Sequence, residues 1–146
     1  MTDAGALPGA RIFAEIETQV QFYDLDPMDI VWHGNYAKYL ELARCALLDK
    51  IDYNYTQMKA SGYAWPVIDM HIRYLQPSAF GDKIRVRAEL VEWENRLKLQ
   101  YLITNAATGL RLTKASTVQV AVEMSARQMC LTSPPILFEK LGLPQP

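Results

Sequence analysis

The sequence predicts an α+β domain in which a five-stranded antiparallel sheet surrounds one long central helix. One apolar stripe at helical spacing follows a single alternating segment and precedes four more. Each alternating segment keeps one polar face, which is typical of antiparallel sheets and not of parallel sheets covered on both sides. The 146 residues are enough for one core, so residues 11–146 are predicted to form a single domain after a flexible tail at residues 1–10.

The first strand is predicted over residues 11–22, because apolar and polar side chains alternate there from Ile12 to Phe22. The next residues, 23–33, include three aspartates and a proline, which favour turns.

The central helix is predicted over residues 36–51, where apolar residues recur at steps of three and four. Asn35 is the expected N-cap. Because Leu42 and Cys45 widen the stripe, little of this helix is expected to face water, and a buried Cys45 would be a poor nucleophile. A shorter helix over residues 55–61 is expected to end at Gly62.

The remaining strands are predicted over residues 68–74, 84–90, 97–103 and 110–124, with turn residues between them. A short amphipathic helix over residues 136–141 is expected to follow the two prolines at positions 134 and 135.

The overall composition excludes several classes of protein. The net charge of −1 gives no reason to expect nucleic acid or an anionic membrane as a partner, and no stretch is long enough to span a bilayer. The start of the chain does not have the pattern of a secretory signal, and two distant cysteines fit a reducing cytoplasm. Two histidines without paired Cys/His spacing, and a calcium-loop pattern that lacks its Gly and late Glu, predict no metal site.

The segment from Phe22 to Tyr36 carries the candidate chemistry, because it is an acid-rich loop that leads into the start of the apolar helix. Unpaired backbone N–H groups and the helix dipole stabilise negative charge there. Such a place can hold an ionised carboxylate, and it can polarise a carbonyl oxygen as an oxyanion hole does.

The run Asp26-Pro27-x-x-Ile30-Val31-Trp32-His33-x-Asn35-Tyr36 resembles the active-site signature of the 4-hydroxybenzoyl-CoA thioesterase family. It is also similar to the related bacterial acyl-CoA thioesterases associated with the Tol–Pal envelope system. The resemblance covers nearly the whole chain, including the turn Pro77-x-x-x-Gly81-Asp82. It implies the hot-dog fold, in which a sheet curls around one long helix.

The resemblance also implies roles for individual residues. An isolated Asp-Pro usually only starts a turn, but Asp26 matches the family's catalytic carboxylate, which attacks the thioester or activates the attacking water. The backbone N–H at His33 is expected to face the thioester carbonyl, with the imidazole as a catalytic or orienting group. Residues expected to fix the loop or contact the substrate are Val31, Trp32, Asn35 and Tyr36.

The function predicted is hydrolysis of an acyl-CoA or acyl-carrier-protein thioester without metal or organic cofactor. The alternatives are a hot-dog dehydratase or hydratase that uses His33 and Glu41, and a non-catalytic acyl-CoA-binding domain. Asp29 departs from the family, which usually has Gly there. Its carboxylate either repels the charge on Asp26 or, as we prefer, caps the coming helical turn.

Partners are predicted from charge and from the resemblance. Basic residues at polar strand positions are expected to form a solvated or subunit-facing surface, and some of them to bind the phosphates of a CoA carrier. The resemblance further implies a homodimer or a dimer of dimers, with sheets paired edge to edge and active sites between subunits. The basic residues are Arg73, Arg85, Arg87, Lys98, Arg111 and Lys114.

Overall fold

A computed structural model of the chain describes residues 11–145, so the tail predicted at residues 1–10 lies outside the described residues. Two 3₁₀ turns, Phe22–Asp24 and His33–Asn35, lie between the first strand and the first helix. The strands and helices follow in the order β1 (Phe13–Gln19), α1 (Tyr36–Lys50), α2 (Tyr55–Ser61), β2 (Tyr63–Ala64), β3 (Val67–Tyr74), β4 (Lys83–Glu92), β5 (Leu97–Asn105), β6 (Arg111–Gln119), β7 (Val122–Glu123), β8 (Gln128–Met129) and α3 (Pro135–Leu141).

The main sheet has five strands in the order β1-β4-β5-β6-β3, and every neighbouring pair is antiparallel. Helix α1 lies against β1 and β4, on one face of this sheet. This arrangement confirms the predicted fold, a five-stranded antiparallel sheet with one long helix against it.

The core lies between α1 and the face of the sheet that it covers, which we call the inner face. Leu40 and Leu47 of the helix are buried, as are Val86, Leu99 and Ile103 of the sheet. Burial of each such side chain stabilises the folded state by about 1.5–3 kcal/mol relative to leaving it in water. Because side chains alternate along a strand, the charged residues between these apolar ones point to the opposite, outer face.

Helix α1 is less enclosed than the sequence predicted. Leu42 is 48% exposed and Cys45 is also exposed, so the expectation that little of the helix faces water is wrong for the single chain. At 100° per residue these positions fall on the side of the helix away from Ala43 and Leu47, which are fully buried. Both cysteines, at positions 45 and 130, are free thiols.

The predicted fifth strand is interrupted. Strand β6 ends at Gln119, whose buried side chain donates a hydrogen bond to the Trp65 carbonyl at 2.8 Å. The chain then leaves the main sheet, and β7 joins a second sheet of three short strands in the order β2-β7-β8. The alternating pattern therefore continues across a change of sheet.

The smaller helices agree with the prediction. Helix α2 ends at Ser61, and Gly62 follows in the left-handed conformation with φ 89°, which glycine adopts without a steric penalty. Helix α3 has Pro135 in its first turn. Across residues 11–145, the structure contains no helix with the length and apolar character needed to cross a bilayer.

Candidate active site

The segment between β1 and α1 folds as a small hairpin of its own. Leu25 and Val31 form a bridge, and the Asp26 N–H donates to the Ile30 carbonyl at 2.8 Å. The Asp29 N–H donates back to the Asp26 carbonyl at 3.0 Å, and Asp29 takes φ 64°. Aspartate tolerates this left-handed conformation better than most residues with a Cβ, although glycine is favoured there.

The Asp26 carboxylate is held by this turn. Its Oδ1 atom accepts a hydrogen bond from the Met28 N–H at 2.8 Å and a longer one from the Ile30 N–H at 3.5 Å. Within residues 11–145 no donor binds its Oδ2 atom. One carboxylate oxygen is therefore fixed and the other is free to meet a substrate or a water molecule.

Asp26 lines a cavity of about 300 Å³ beside the start of α1. Its walls come from the hairpin, from the start of the helix, and from the chain that leaves β3. This volume is at the lower end of the range of small-molecule sites. The lining residues are Asp26, Ile30, Val31, His33, Tyr36, Tyr74, Leu75, Gln76 and Pro77.

His33 begins the 3₁₀ turn that leads into α1. Its backbone carbonyl accepts hydrogen bonds from the Tyr36 N–H and, at 2.9 Å, from the Tyr74 hydroxyl. The N–H groups of His33 and Gly34 precede the first hydrogen-bonded position of the turn, and in the described part of the chain no acceptor binds them. One of these unpaired amides belongs to His33, which lines the same cavity as Asp26, and the other belongs to the next residue.

Two of the predicted substrate-binding residues reach the cavity. Val31 is buried, and its N–H donates to the Ser78 carbonyl at 2.9 Å. Tyr36 is also buried, with its ring edge-on to the rings of Tyr39 and Tyr74. Burial raises the pKa of Tyr36, so its phenol is neutral at physiological pH.

The other two predicted contacts do not line the cavity. The Trp32 indole is half exposed and lies over Gly34, where an added Cβ would come within 2.4 Å of the ring. Asn35 occupies the predicted N-cap position of α1, but its side chain makes no capping hydrogen bond. Its Nδ2 instead donates to the Asp24 carbonyl at 2.8 Å, because that acceptor is brought across by the hairpin.

Asp24 does not line the cavity but holds the loop beside it, a role that the sequence did not predict. It is buried, and its Oδ2 atom accepts from the Gln21 N–H at 2.9 Å and from the Tyr39 hydroxyl at 3.0 Å. Burial, and then the bond to Asp24, raise the pKa of Tyr39, so the phenol remains a donor. Asp24 thus ties the loop to α1. The available signal was an aspartate directly after an apolar strand.

The two other acidic candidates, Asp29 and Glu41, do not line the cavity. Asp29 is exposed and caps none of the described helices, so the preferred capping role is wrong. The Glu41 carboxylate forms an ion pair with Arg44 and is not part of the cavity wall. Among residues 11–145, no three His, Cys, Asp or Glu side chains are grouped so that they could hold a metal ion.

Comparison with known proteins gives a consistent family. The model of the thioesterase-like superfamily matches residues 20–138. A putative acyl-CoA thioesterase of Bacillus subtilis is 29% identical over 125 residues, which is 85% of this chain and 86% of the relative. A chloroplast acyl-acyl carrier protein thioesterase of Arabidopsis thaliana is 32% identical over 82 residues, 56% of this chain and 43% of the relative.

Solved structures show the same fold. A 1,4-dihydroxy-2-naphthoyl-CoA thioesterase from Synechocystis superposes with a TM-score of 0.78 at 20% identity, covering 92% of this chain and 99% of that one. A probable thioesterase of Escherichia coli superposes with a TM-score of 0.75 at 24% identity, covering 88% and 96%. The match over most of the chain confirms the predicted enzyme class, a thioester hydrolase, and the chain belongs to the thioesterase-like superfamily.

Proposed function

We propose that the protein hydrolyses an acyl thioester carried by CoA or by an acyl carrier protein, and that Asp26 is its catalytic carboxylate. One observation carries the proposal. The partly free carboxylate of Asp26 lines the same small cavity as His33, where helix-start amides have no acceptor among the described residues. The names of the two relatives cited above support the two carrier types.

The amides suit the oxygen of the thioester carbonyl. As the carbonyl carbon becomes tetrahedral, its oxygen gains negative charge, and the N–H groups of His33 and Gly34 with the dipole of α1 stabilise that charge. Tyr74 supports this arrangement from β3, since its hydroxyl binds the His33 carbonyl and orients the same peptide group.

Asp26 supplies the base in the simplest form of the reaction. A water proton moves to its carboxylate while the water oxygen bonds to the carbonyl carbon and the carbonyl electron pair moves onto oxygen. When the intermediate collapses, the C–S bond breaks, the thiolate takes the proton from Asp26, and a carboxylic acid and a thiol remain. In the nucleophilic form a carboxylate oxygen of Asp26 attacks the carbon itself, the C–S bond breaks and the thiolate leaves. Water then opens the resulting mixed anhydride, which releases the carboxylic acid, restores the Asp26 carboxylate and leaves one water proton for the thiolate.

The test is thiol release from a panel of acyl-CoA and acyl-carrier-protein substrates. Asp26→Asn keeps the size of the side chain and is expected to lower kcat at least about a hundredfold, the effect of removing a base or nucleophile. Asp29→Asn is the matched control, because the same change is made three residues along at an exposed side chain. Its kcat is expected to remain within about twofold of the wild type.

Several results would change the proposal. Equal turnover by wild type and Asp26→Asn would remove the proposed role of the carboxylate. Binding of acyl-CoA without turnover would instead identify a non-catalytic binding domain. Dehydration of a 3-hydroxyacyl thioester without thiol release would identify a dehydratase. Mass spectrometry after rapid acid quench detects an acylated Asp26 only on the nucleophilic route.

We also propose that the protein works as a homodimer or a dimer of dimers in the cytoplasm. Strand β3 is an edge of the main sheet, and its apolar residues Val67, Ile68 and Met70 are between 37% and 57% exposed. Exposed apolar edges favour pairing with another strand. Sedimentation equilibrium tests this assembly, and a monomer at micromolar concentration would contradict it. The free thiols at positions 45 and 130 suit a reducing compartment.

A further inference from the structure

A second cavity, of about 520 Å³, lies on the outer face of the main sheet, away from α1. We call it the outer groove. Its walls come from β3, β4, β5 and β6. Five cationic side chains and one carboxylate line it, and His71, Gln100 and Ser116 add polar groups. The charged residues are Arg73, Arg87, Lys98, Arg111, Lys114 and Glu89.

The charges of the outer groove are balanced on one side only. Towards β1, Arg87 lies 3.6 Å from carboxylate oxygens of Glu15 and Glu89, and Lys98 lies 4.0 Å from Glu92. Towards β3, neither Arg73, Lys114 nor Arg111 has a carboxylate within 4.0 Å among residues 11–145. The uncompensated cations therefore lie together on β3 and β6.

The sheet register places two of these cations face to face. Arg73 of β3 is directly opposite Lys114 of β6. Side chains in this relationship lie about 5 Å apart at their Cβ atoms, and like charges there destabilise the sheet. The whole chain has a net charge of −1, so the positive excess is local. An anionic ligand would convert this repulsion into attraction.

We propose that the outer groove binds the phosphate groups of a nucleotide. An arginine guanidinium binds phosphate through two parallel hydrogen bonds, and a lysine adds a compact charge. Leu102 gives the groove an apolar floor for a base, and Gln100 and Ser116 can bond to a sugar. The volume of the groove, about 520 Å³, falls within the range of small-molecule sites.

The position of the outer groove relates it to the catalytic cavity. Arg73 and Tyr74 are consecutive residues at the end of β3, and they point to opposite faces of the sheet. Tyr74 lines the Asp26 cavity, whereas Arg73 lines the outer groove. Two kinds of ligand carry the phosphate groups that suit this position. One is the nucleotide end of a CoA thioester, an assignment that rests on the proposed function, and the other is a free nucleotide.

Binding is tested by calorimetric titration with pyrophosphate and with adenosine 3′,5′-bisphosphate. The wild type is expected to bind both, more weakly as salt increases. Arg73→Gln and Lys114→Gln are each expected to weaken binding about tenfold, the loss of one charge-assisted bond. Arg85→Gln is the matched control, because Arg85 is on the same face of β4 but outside the groove and paired with Glu17. Its affinity is expected to equal that of the wild type.

The two sources are separated by kinetics. If the groove holds the carrier end of the substrate, Arg73→Gln and Lys114→Gln raise KM for an acyl-CoA about tenfold and leave KM for the matching acyl-pantetheine unchanged. If it holds a free nucleotide, both KM values are unchanged while the bisphosphate titration still shows the loss. Either pattern supports the groove as a phosphate site.

The proposal is overturned if the wild type binds neither probe more tightly than the Arg73→Gln/Lys114→Gln double variant. Misfolding is excluded by thermal denaturation, since removing a like-charge pair leaves the melting temperature of Lys114→Gln equal to or above that of the wild type. The Asp26→Asn variant separates this proposal from the catalytic one. It is expected to bind the bisphosphate with wild-type affinity even if its turnover is lost, and even if wild-type turnover itself is not observed.

Discussion

The Tyr74 hydroxyl donates a hydrogen bond to the backbone carbonyl of His33 at 2.9 Å, across 41 positions of sequence. The bond joins the end of an edge strand to the first residue of the turn that opens the central helix. Since the unpaired amides lie in the same turn, the position of their peptide groups depends partly on a residue from the sheet.

Removal of this hydroxyl is expected to slow the reaction. Tyr74→Phe keeps the ring contacts with His33 and Tyr36 but loses the hydrogen bond, which costs about 1 kcal/mol of stability. Because the amides proposed to bind the oxyanion are then less well oriented, kcat is expected to fall about fivefold to tenfold with little change in KM. Steady-state thiol release measures both constants.

Tyr23→Phe is the control for Tyr74→Phe. Tyr23 is in the same loop, is 70% exposed, and its hydroxyl has no hydrogen-bond partner within residues 11–145. Its kcat is expected to match the wild type. An unchanged kcat in Tyr74→Phe, together with lower stability, would show that the hydroxyl only supports the fold.

Gly34 is expected to resist substitution because of the Trp32 indole. A Cβ at position 34 would lie 2.4–2.9 Å from three ring atoms, so Gly34→Ala must displace the ring. We expect a loss of about 1 kcal/mol in the free energy of unfolding, at the lower end of overpacking costs because the indole is half exposed. Denaturant unfolding measures the difference.

A double-mutant cycle identifies the cause. In a Trp32→Ala background the clash is absent, and Gly34→Ala is then expected to be neutral or stabilising by up to about 1 kcal/mol. The same loss in both backgrounds would mean that the backbone at position 34, and not the indole, excludes the methyl group.

Tyr101 is expected to make the fold sensitive to alkaline pH. Burial raises the pKa of Tyr101 to about 12, whereas the unfolded chain has the ordinary value near 10. Between these values the unfolded state releases a proton that the folded state retains. The free energy of unfolding therefore falls as pH rises from about 10 to about 12, at most about 1.4 kcal/mol per pH unit for this group.

Tyr101→Phe tests this dependence. The variant loses the 2.8 Å hydrogen bond with Thr117, so it is expected to be less stable at pH 8 by about 1 kcal/mol. Its stability is also expected to decline less steeply between pH 10 and 12, although Tyr36 and Tyr39, with raised pKa values, still contribute. Parallel pH profiles for the two proteins would contradict the assignment.

The local sequence pattern was sufficient to predict most of the fold and part of the site. Alternation located the five main strands, and the helical stripe located α1 with an error of one residue at its end. The loop signature pointed to Asp26 and His33, and the structure places both at one cavity. These features depend on neighbours in sequence, which is why a pattern can reveal them.

The missed features depend on distant contacts. Asn35 occupies the cap position that its local sequence indicates, but the hairpin supplies a carbonyl of Asp24 that binds its Nδ2, and its side chain forms no capping bond. Nothing near Tyr74 in sequence indicates that its hydroxyl meets residue 33. The alternation through Val122 is real, but the chain changes sheets after Gln119.

The loop that carries Asp26 is fastened from several directions. Val31 is bound to the Ser78 carbonyl, Ile30 forms a bridge with Ala79, and Asp24 is bound to Tyr39. A segment anchored in this way is not a lid that closes over its substrate. The site is preorganised, so discrimination among acyl groups has to come from a shape that exists before the substrate arrives.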